Sequence, residues 1–405
     1  MWRRYSLVAG WVVVVAGWLG VAAVLLLKVP LTGSDFSVYL AAAQALRFDA
    51  HANIYSEPTI VAAVSAHGGC TVWGLPYLYQ PLLALLLEPL AAMPCADAWY
   101  VWQALNLVLW AACAFALARR ASRVSPWLAL FVAALALSFL PLIQGLAIGE
   151  IHVIILSICL AGAALERHDR PYLAGVLLGV GAVIKYFPAL LILYYLLRGR
   201  WRVAVGATTA VGVLLLAEWL IVGPRTLLMS VTGIHYAATV ESQGGVSGSL
   251  ALAALAGLGF IAGVLWAGRA RGGDEWTGAA WAIATILVIS PLVQWSYLTW
   301  LLPALTVCLS AMLDARHPVT ARQRWGTVGL LVVAFGLMLV RMLLVRAPNP
   351  APAIALTSTL GAFVVWGLCG AYYLRSAGAK LRVVGAPLRR PAAGAREPAP
   401  APLRP

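Results

Sequence analysis

Three places along the chain carry ionisable residues where chemistry at a membrane would need them. Asp35 stands alone a few residues beyond the first apolar segment, Lys185 interrupts a long apolar run, and Glu150 and His152 begin another. A lone carboxylate at a membrane surface suits a general base that acts on lipid-linked substrates. An ionisable residue between apolar half-helices is costly and is by default a functional hypothesis.

Each of these residues also has a structural interpretation. Ser34 or Asp35 is a good N-cap for a helix that starts near Phe36. Lys185 can extend its ammonium group to the membrane interface. Glu150 and His152 can cap a helix and pair with each other. The residue types alone leave both interpretations open at all three places.

The composition is that of an all-α, polytopic membrane protein. Of the 405 residues, 62% are hydrophobic and 10% are charged. Membrane spans of such a chain are helices, because every backbone polar group must be satisfied within the segment. The net charge of +14 comes from basic clusters between apolar segments. We therefore interpret these clusters as cytoplasmic loops that attract anionic membrane lipids, and we expect no nucleic-acid partner.

The positive-inside rule gives the expected topology. Arg3 and Arg4 precede a charge-free first span, so the N-terminus is predicted in the cytoplasm and Asp35 outside it. This span is longer than a signal-peptide core, so we expect it to be retained. About twelve spans are predicted, with both termini inside. They lie near 7–28, 99–118, 126–143, 151–165, 172–184, 186–198, 203–222, 250–268, 276–291, 297–313, 326–346 and 353–374.

One domain is predicted over 1–380, and its long first extracytoplasmic loop covers 29–98. A disordered, basic, Pro/Ala-rich cytoplasmic tail is predicted over 381–405. Residues 77–93 indicate a juxtamembrane or re-entrant helix within the first loop, because polar residues and prolines interrupt the apolar run. Residues 172–197 indicate two short helices that meet at Lys185 to Pro188, as broken helices do where they line a cavity.

Two cysteines, Cys70 and Cys95, both lie in the first loop. They either form a disulfide or stay free, since the sequence does not give the geometry. The other cysteines fall in predicted spans, and no cysteine or histidine spacing indicates a zinc site.

Four sequence segments together resemble one known family. They are residues 34–43 with Tyr55 behind them, 77–82, 173–201 and 290–303. The first is similar to an acidic first-loop motif, the second to a Tyr-x-Tyr-Pro-Pro element with Gln80 in place of one proline. The third resembles an Ala-Gly-x-x-x-Gly…Lys-x-x-Pro…Arg-x-Arg-Trp hairpin, and the fourth a Ser-Pro-x-x-Trp segment. In this order they resemble the C-type glycosyltransferases, and within them family 87, the polyprenyl-phosphate-mannose-dependent mannosyltransferases.

The chain departs from the family pattern at two places. A histidine pair that often follows Ser-Pro-x-x-Trp, and helps to bind the donor phosphate, is replaced by Ser296 and Tyr297. The family's Gly-Gln-x-Asn is replaced by Gly-Glu-x-His, which places Glu150 and His152 where neutral amides stand.

The resemblance implies a membrane glycosyltransferase of the plasma membrane with an extracytoplasmic active site. It would move a mannosyl or other hexosyl group from a polyprenyl-phosphate donor to an envelope glycolipid or lipoglycan acceptor, with inversion and with Asp35 as general base. No cofactor is expected. No metal is expected either, because the first loop has no Asp-x-Asp. The residues expected to bind substrate are Lys185, Tyr39, Tyr79, Gln80, Glu150, His152, Arg225, Trp295 and Tyr297.

Several of these roles compete with simpler ones. Lys185 would neutralise the donor phosphate, and Arg225 is a second phosphate candidate or an ordinary loop arginine. Glu150 and His152 would bind sugar hydroxyls or form a second acid–base element. Trp295 would stack on a sugar or belong to the interfacial aromatic belt.

Two other functions fit the same sequence. A secondary transporter has this size and such broken helices, but the long first loop is asymmetric and no second copy of the Lys185 hairpin is found. A non-catalytic lipid-binding or assembly protein of the same fold would explain the altered residues Glu150, His152, Ser296 and Tyr297.

Overall fold

The computed structural model describes residues 2–27, 35–67, 70, 77–242, 247–269, 274–290, 295–314, 320–344 and 352–384. These residues form sixteen α-helices and one 3₁₀ helix, with no β-strand among them, which confirms the all-α prediction. The α-helices are α1 (Trp2–Leu27), α2 (Asp35–Phe48), α3 (Glu57–His67), α4 (Pro81–Ala91), α5 (Cys95–Ser122), α6 (Pro126–Ser138), α7 (Leu140–Ile148), α8 (His152–Arg167), α9 (Pro171–Ile184), α10 (Ala189–Leu197), α11 (Trp201–Ser242), α12 (Ser247–Arg269), α13 (Glu275–Ile289), α14 (Leu302–Leu313), α15 (Ala321–Leu344) and α16 (Pro352–Val384). The 3₁₀ helix is Trp295–Leu301.

Four helical segments are long and apolar enough to cross a membrane. They are Ser6–Leu25, Cys95–Ser122, Trp201–Thr232 and Ser296–Leu313. The bent pair α6 and α7, with 43° between its two helices, makes a fifth if it is one span. Shorter apolar segments occur at Pro81–Ala91, Pro171–Ile184, Ala253–Gly268 and Glu275–Ile289. The chain is therefore a helical membrane protein, and the count of about twelve spans stays a prediction.

Every predicted span coincides with a helical segment, though some of these segments are bent or interrupted. The third one consists of α6 and α7, which turn at Phe139, and the tenth consists of the 3₁₀ helix followed by α14. Helix α16 extends to Val384, and the tail predicted over 381–405 stays a prediction. Residues 385–405 lie outside the described part of the chain.

The described residues between α1 and α5 form three short helices, α2, α3 and α4, and their position in an extracytoplasmic loop stays a prediction. Helix α2 packs against α3 and α4, and its residues from Phe36 to Leu46 are buried. Helix α4 lies where the juxtamembrane helix was predicted. A disulfide joins Cys70 to Cys95, the first residue of α5, so this region is tied covalently to the helical bundle.

The predicted break at Lys185 is present between α9 and α10. Lys185 has extended backbone angles (φ −150°, ψ 122°), and Pro188 precedes the first residue of α10. Helix α9 packs closely along α11 because glycines face the partner backbone. A Cβ at Gly175 would lie 2.1 Å from the Val203 carbonyl oxygen, and one at Gly179 would lie 2.7 Å from the Ala207 carbonyl oxygen. Small residues at such positions let membrane helices approach, and this contact fixes the hairpin that carries Lys185.

Candidate active site

Lys185 is the centre of a buried polar cluster. Its side chain is 7% exposed, and its Nζ donates to the Tyr297 hydroxyl at 2.6 Å and to the Tyr79 hydroxyl at 3.3 Å. The same Nζ lies 3.8 Å from Glu150 Oε1 and 4.3 Å from the centroid of the Tyr297 ring. Lys185 therefore does not snorkel to an interface: the break between α9 and α10 turns its ammonium group inward.

The loop before α4 connects Lys185 to α2. Tyr79 exchanges a 2.8 Å hydrogen bond with the Tyr39 hydroxyl, and the two rings pack edge to face with centroids 4.9 Å apart. Tyr55 holds this loop by donating from its hydroxyl to the Tyr79 carbonyl oxygen at 2.8 Å. Asp35 lies four residues before Tyr39, one turn away on the same helix face. Asp35 is half-buried at the first position of α2, at the side of this cluster.

Glu150 reaches the cluster from the turn between α7 and α8. Gly149 ends α7 with φ +71°, a left-handed angle that favours glycine. A Cβ at Gly149 would lie 2.6 Å from Phe36 Cβ and 2.7 Å from the Trp99 ring. Trp102 Nε1 donates to the Gly149 carbonyl oxygen at 2.8 Å and fixes this turn against α5. The close approach that only glycine permits thus brings Glu150 beside α2.

The Glu150 carboxylate is fully buried and has polar neighbours on two further elements. Ser296, in the 3₁₀ helix, donates its hydroxyl to Glu150 Oε2. His152 Nδ1 lies 3.6 Å from the same oxygen. The other oxygen, Oε1, is the one that faces Lys185. Glu150 therefore has one oxygen toward the cation and one toward Ser296 and His152.

His152 is a buried imidazole without a hydrogen bond among the described residues. Both ring nitrogens lack a partner there, and the side chain is 0% exposed. Space for the ring comes from Gly145, since a Cβ there would lie 2.1 Å from His152 Cε1. The backbone of His152 is held by Trp300, whose Nε1 donates to its carbonyl oxygen at 3.0 Å. A buried nitrogen of this kind is costly unless a proton or a ligand uses it.

Burial and neighbouring charge both perturb the carboxyl groups of the cluster. Burial, with a further contribution from the negative charge of Glu150, raises the pKa of Asp35 to about 7, against the opposing effect of Lys185. Burial also raises the pKa of Glu150, while Lys185 acts to lower it. A carboxyl group whose pKa lies near neutrality is well matched to take a proton during a reaction.

Glu218 positions this cluster in a way that the sequence did not reveal. From the middle of α11 its Oε1 accepts a hydrogen bond from the Leu82 backbone N–H at 2.8 Å. This N–H belongs to the first turn of α4, where backbone donors lack helical partners. Glu218 thus caps α4 and anchors the segment that carries Tyr79. The sequence signal is an acidic residue inside an apolar span, which indicates a polar partner without identifying it.

The structure brings together seven of the ten predicted site residues. The cluster contains Asp35, Tyr39, Tyr79, Glu150, His152, Lys185 and Tyr297. Gln80 adjoins it as the N-cap residue of α4, and its carbonyl oxygen accepts from Tyr77. Arg225 is exposed after the α11 kink at Gly223, and no described contact links it to the cluster. Trp295 begins the 3₁₀ helix, and its side chain lies outside the described part of the chain.

The arrangement has the parts that group transfer from a phosphate needs. A carboxyl group with a pKa near 7 stands on one side, and an ammonium group with two tyrosine hydroxyls stands on the other. The first can accept a proton and the second can stabilise negative charge. Among the described residues, no three His, Cys, Asp or Glu side chains are grouped as metal ligands would be.

Comparison with known proteins decides the family. The family model of "Glycosyltransferase family 87" matches residues 77–313, more than half of the chain. The chain belongs to glycosyltransferase family 87. The family 87 match includes Glu150, Lys185 and Tyr297 but begins after Asp35. The role expected for Asp35 therefore has no support from the family match and depends on its position near Lys185 and Glu150.

Two curated relatives are similar to this family 87 chain. One, from Mycobacterium tuberculosis, is 29% identical over 58% of this chain and 62% of its own length. It is named a polyprenol-phosphate-mannose-dependent alpha-(1-2)-phosphatidylinositol mannoside mannosyltransferase. The other, from Mycolicibacterium smegmatis, is 27% identical over 60% of this chain and 63% of its own length. It is named a polyprenol-phosphate-mannose-dependent alpha-(1-2)-phosphatidylinositol pentamannoside mannosyltransferase. The chain thus matches less than two thirds of the length of both relatives. No solved structure matches it significantly.

Proposed function

We propose that the protein is a membrane glycosyltransferase that moves a mannosyl group from a polyprenyl-phosphate donor to an envelope glycolipid or lipoglycan. The observation that carries this proposal is the juxtaposition of Asp35 with the Lys185 cluster. Two residues 150 positions apart, Asp35 on α2 and Lys185 at the α9–α10 break, lie near enough for the charge of Lys185 to act on the Asp35 carboxyl group. Family 87 membership and the activities of the two relatives support the mannosyl group and the polyprenyl-phosphate donor.

In this proposal the reaction is a single displacement at the anomeric carbon. The acceptor hydroxyl oxygen forms a bond to that carbon while its proton passes to the Asp35 carboxylate. The bond from the carbon to the phosphate oxygen breaks, and its electron pair leaves with the phosphate. The phosphate charge rises from −1 to −2, and Lys185 with Tyr79 and Tyr297 faces the new charge. One displacement inverts the anomeric centre, so a β-linked donor gives an α-linked product.

The proposed membrane arrangement follows from the charge pattern. Twelve spans with cytoplasmic termini would place Asp35, Glu150 and the Lys185 break on the extracytoplasmic side of the plasma membrane. The cytoplasmic ends of the helices would then carry arginines, among them Arg119, Arg120, Arg198 and Arg200. A membrane-embedded donor could present its phosphate to Lys185 while its prenyl chain stays in lipid.

Sugar transfer by the purified protein tests this function. Wild type in nanodiscs would receive radiolabelled polyprenyl-phosphate mannose and an envelope glycolipid fraction, with and without EDTA. Asp35→Asn keeps the size of the side chain and removes the base, so we expect transfer to fall by about 10²–10⁴-fold. The matched control is Asp97→Asn, an exposed first-loop carboxylate in the first turn of α5, which should retain transfer.

Each result has a distinct meaning. Label in glycolipid that needs Asp35, tolerates EDTA and survives Asp97→Asn supports a metal-independent transferase with Asp35 as base. Equal transfer by wild type and Asp35→Asn would show that Asp35 is not the general base. If wild type transfers no label to any glycolipid, the proposed enzymatic function is contradicted. The transporter or the non-catalytic lipid-binding protein is then favoured.

A further inference from the structure

Glu150 faces the same cation that the proposed reaction requires. Its Oε1 lies 3.8 Å from Lys185 Nζ, and both side chains are almost completely buried, at 0% and 7% exposure. The pair therefore has little water to weaken its attraction. Without substrate, the carboxylate of Glu150 already neutralises the ammonium group of Lys185.

A bound phosphate would create an excess of negative charge. Asp35, Glu150 and the donor phosphate would then face Lys185, the cation that the described contacts bring to this site. Like charges confined in a buried site disfavour ionisation of at least one group. The reaction makes the excess larger, since the departing phosphate gains a second negative charge.

Glu150 is built to lose its charge without losing its position. Ser296 holds Oε2 in place, and His152 Nδ1, 3.6 Å from the same oxygen, has no hydrogen bond among the described residues, so it can accept one in the tautomer with its proton on Nε2. A protonated carboxyl group needs such an acceptor for its O–H. The titratable and charged groups that face Glu150 from the surrounding elements are Asp35, Tyr39, Tyr79, His152, Lys185 and Tyr297.

We propose that Glu150 is an exchangeable counter-ion of Lys185, so that binding of a prenyl-linked phosphate transfers Lys185 to the phosphate and adds one proton to Glu150. This rests on the proposed function, because it takes Lys185 as the phosphate site. Glu150 is then a positioning residue: it holds the ammonium group in place before the donor arrives and withdraws its charge afterwards. The proton comes from solvent, and no bond to the donor is made or broken in this step.

The proposal has a thermodynamic consequence that a structural role lacks. If binding takes up one proton, the donor Kd must weaken about tenfold for each unit of pH increase, by linkage. This weakening applies at pH values above the pKa of Glu150 in the free protein, a pKa that burial raises. With a neutral amide at position 150 the pH dependence from this group disappears, and no carboxylate at that position competes with the phosphate for Lys185.

Calorimetric titration measures the proton directly. Polyprenyl-phosphate mannose with a short prenyl chain would be titrated into wild type in nanodiscs, in two buffers of different ionisation enthalpy at one pH. The difference in heat gives the number of protons taken up. We expect close to one for wild type, close to none for Glu150→Gln, and a retained uptake for Glu150→Asp. Glu150→Gln should also bind more tightly than wild type above neutral pH.

Glu166→Gln is the matched control, because Glu166 is also a buried glutamate paired with a basic side chain, at the other end of α8. Donor binding to Glu166→Gln should take up one proton, as it does in wild type. An unchanged uptake in Glu150→Gln would assign the proton to Asp35 or another group and overturn the proposal, while leaving the function standing. If the donor binds to wild type and reacts without proton uptake, the counter-ion proposal is also overturned and the proposed function still stands. Failure of wild type to bind the donor would overturn both.

Discussion

Helix α8 has a charged cluster at each end, and the two clusters differ in their contact with water. At its start, Glu150 pairs with Lys185, and both side chains are buried. At its end, Glu166 pairs with Arg200, whose Nε lies 3.0 Å from Glu166 Oε1, and Arg200 also pairs with Glu275. Arg200 is 50% exposed and Glu275 34% exposed, although Glu166 itself is only 3% exposed.

We interpret the difference as one between a cluster arranged for stability and a cluster arranged for chemistry. At the Arg200 end, two carboxylates also share one cation, but solvent reaches Arg200 and Glu275 and screens their charges at little cost. At the Lys185 end, two carboxyl groups face one ammonium, and His152 has no hydrogen bond among the described residues. A buried cluster that is incompletely satisfied destabilises a fold, and it is retained where a substrate completes it.

The largest expected difference between the two ends is in catalysis. Lys185→Met removes the charge that faces the departing phosphate, and we expect kcat/KM for sugar transfer to fall by about 10²–10³-fold. Arg200→Met removes the corresponding cation at the other end and should change kcat/KM by less than about threefold. Initial rates over a range of donor concentrations measure both. Comparable losses in the two variants would mean that the Lys185 end has no special role.

A smaller difference is expected in stability. Lys185→Met leaves Glu150 without its cation, and the carboxyl group then takes up a proton, which limits the cost to about 1–3 kcal/mol. Arg200→Met loses a half-exposed pair worth about 0–1 kcal/mol. Thermal unfolding in one detergent compares the two variants with wild type. A Lys185→Met protein as stable as Arg200→Met would indicate that water enters the Glu150 site.

Much of the fold could be predicted because it depends on local hydrophobicity. Apolar runs of span length place the helices, and Lys185 followed by Pro188 in an apolar run predicts the break between α9 and α10. The disulfide was left open by the sequence, because the pairing of Cys70 with Cys95 depends on the distance between two separate segments.

The composition of the site could be predicted in part, but not its internal contacts. Asp35, Lys185 and Glu150 were identified because ionisable residues are rare in an apolar chain. That Glu150 contacts Lys185, with Ser296 behind it, depends on how α7, α8, the 3₁₀ helix and the α9–α10 break pack together. Local patterns carry no information on such contacts. Gly145 and Gly149, which give His152 and Glu150 their places, also look like ordinary glycines in the sequence.

The most direct test of the central claim is the pH dependence of kcat/KM for wild type, Glu150→Gln and Glu166→Gln. If Asp35 is the base, wild-type activity falls as the pH decreases through about 7, since protonation of the carboxylate removes the acceptor for the proton. In Glu150→Gln the repulsion from the neighbouring carboxylate is gone, so this decline should move to lower pH, while burial keeps it above the ordinary range of aspartate. Glu166→Gln should follow wild type. An acidic limb at the same pH in all three proteins, or no acidic limb in wild type, would contradict the account.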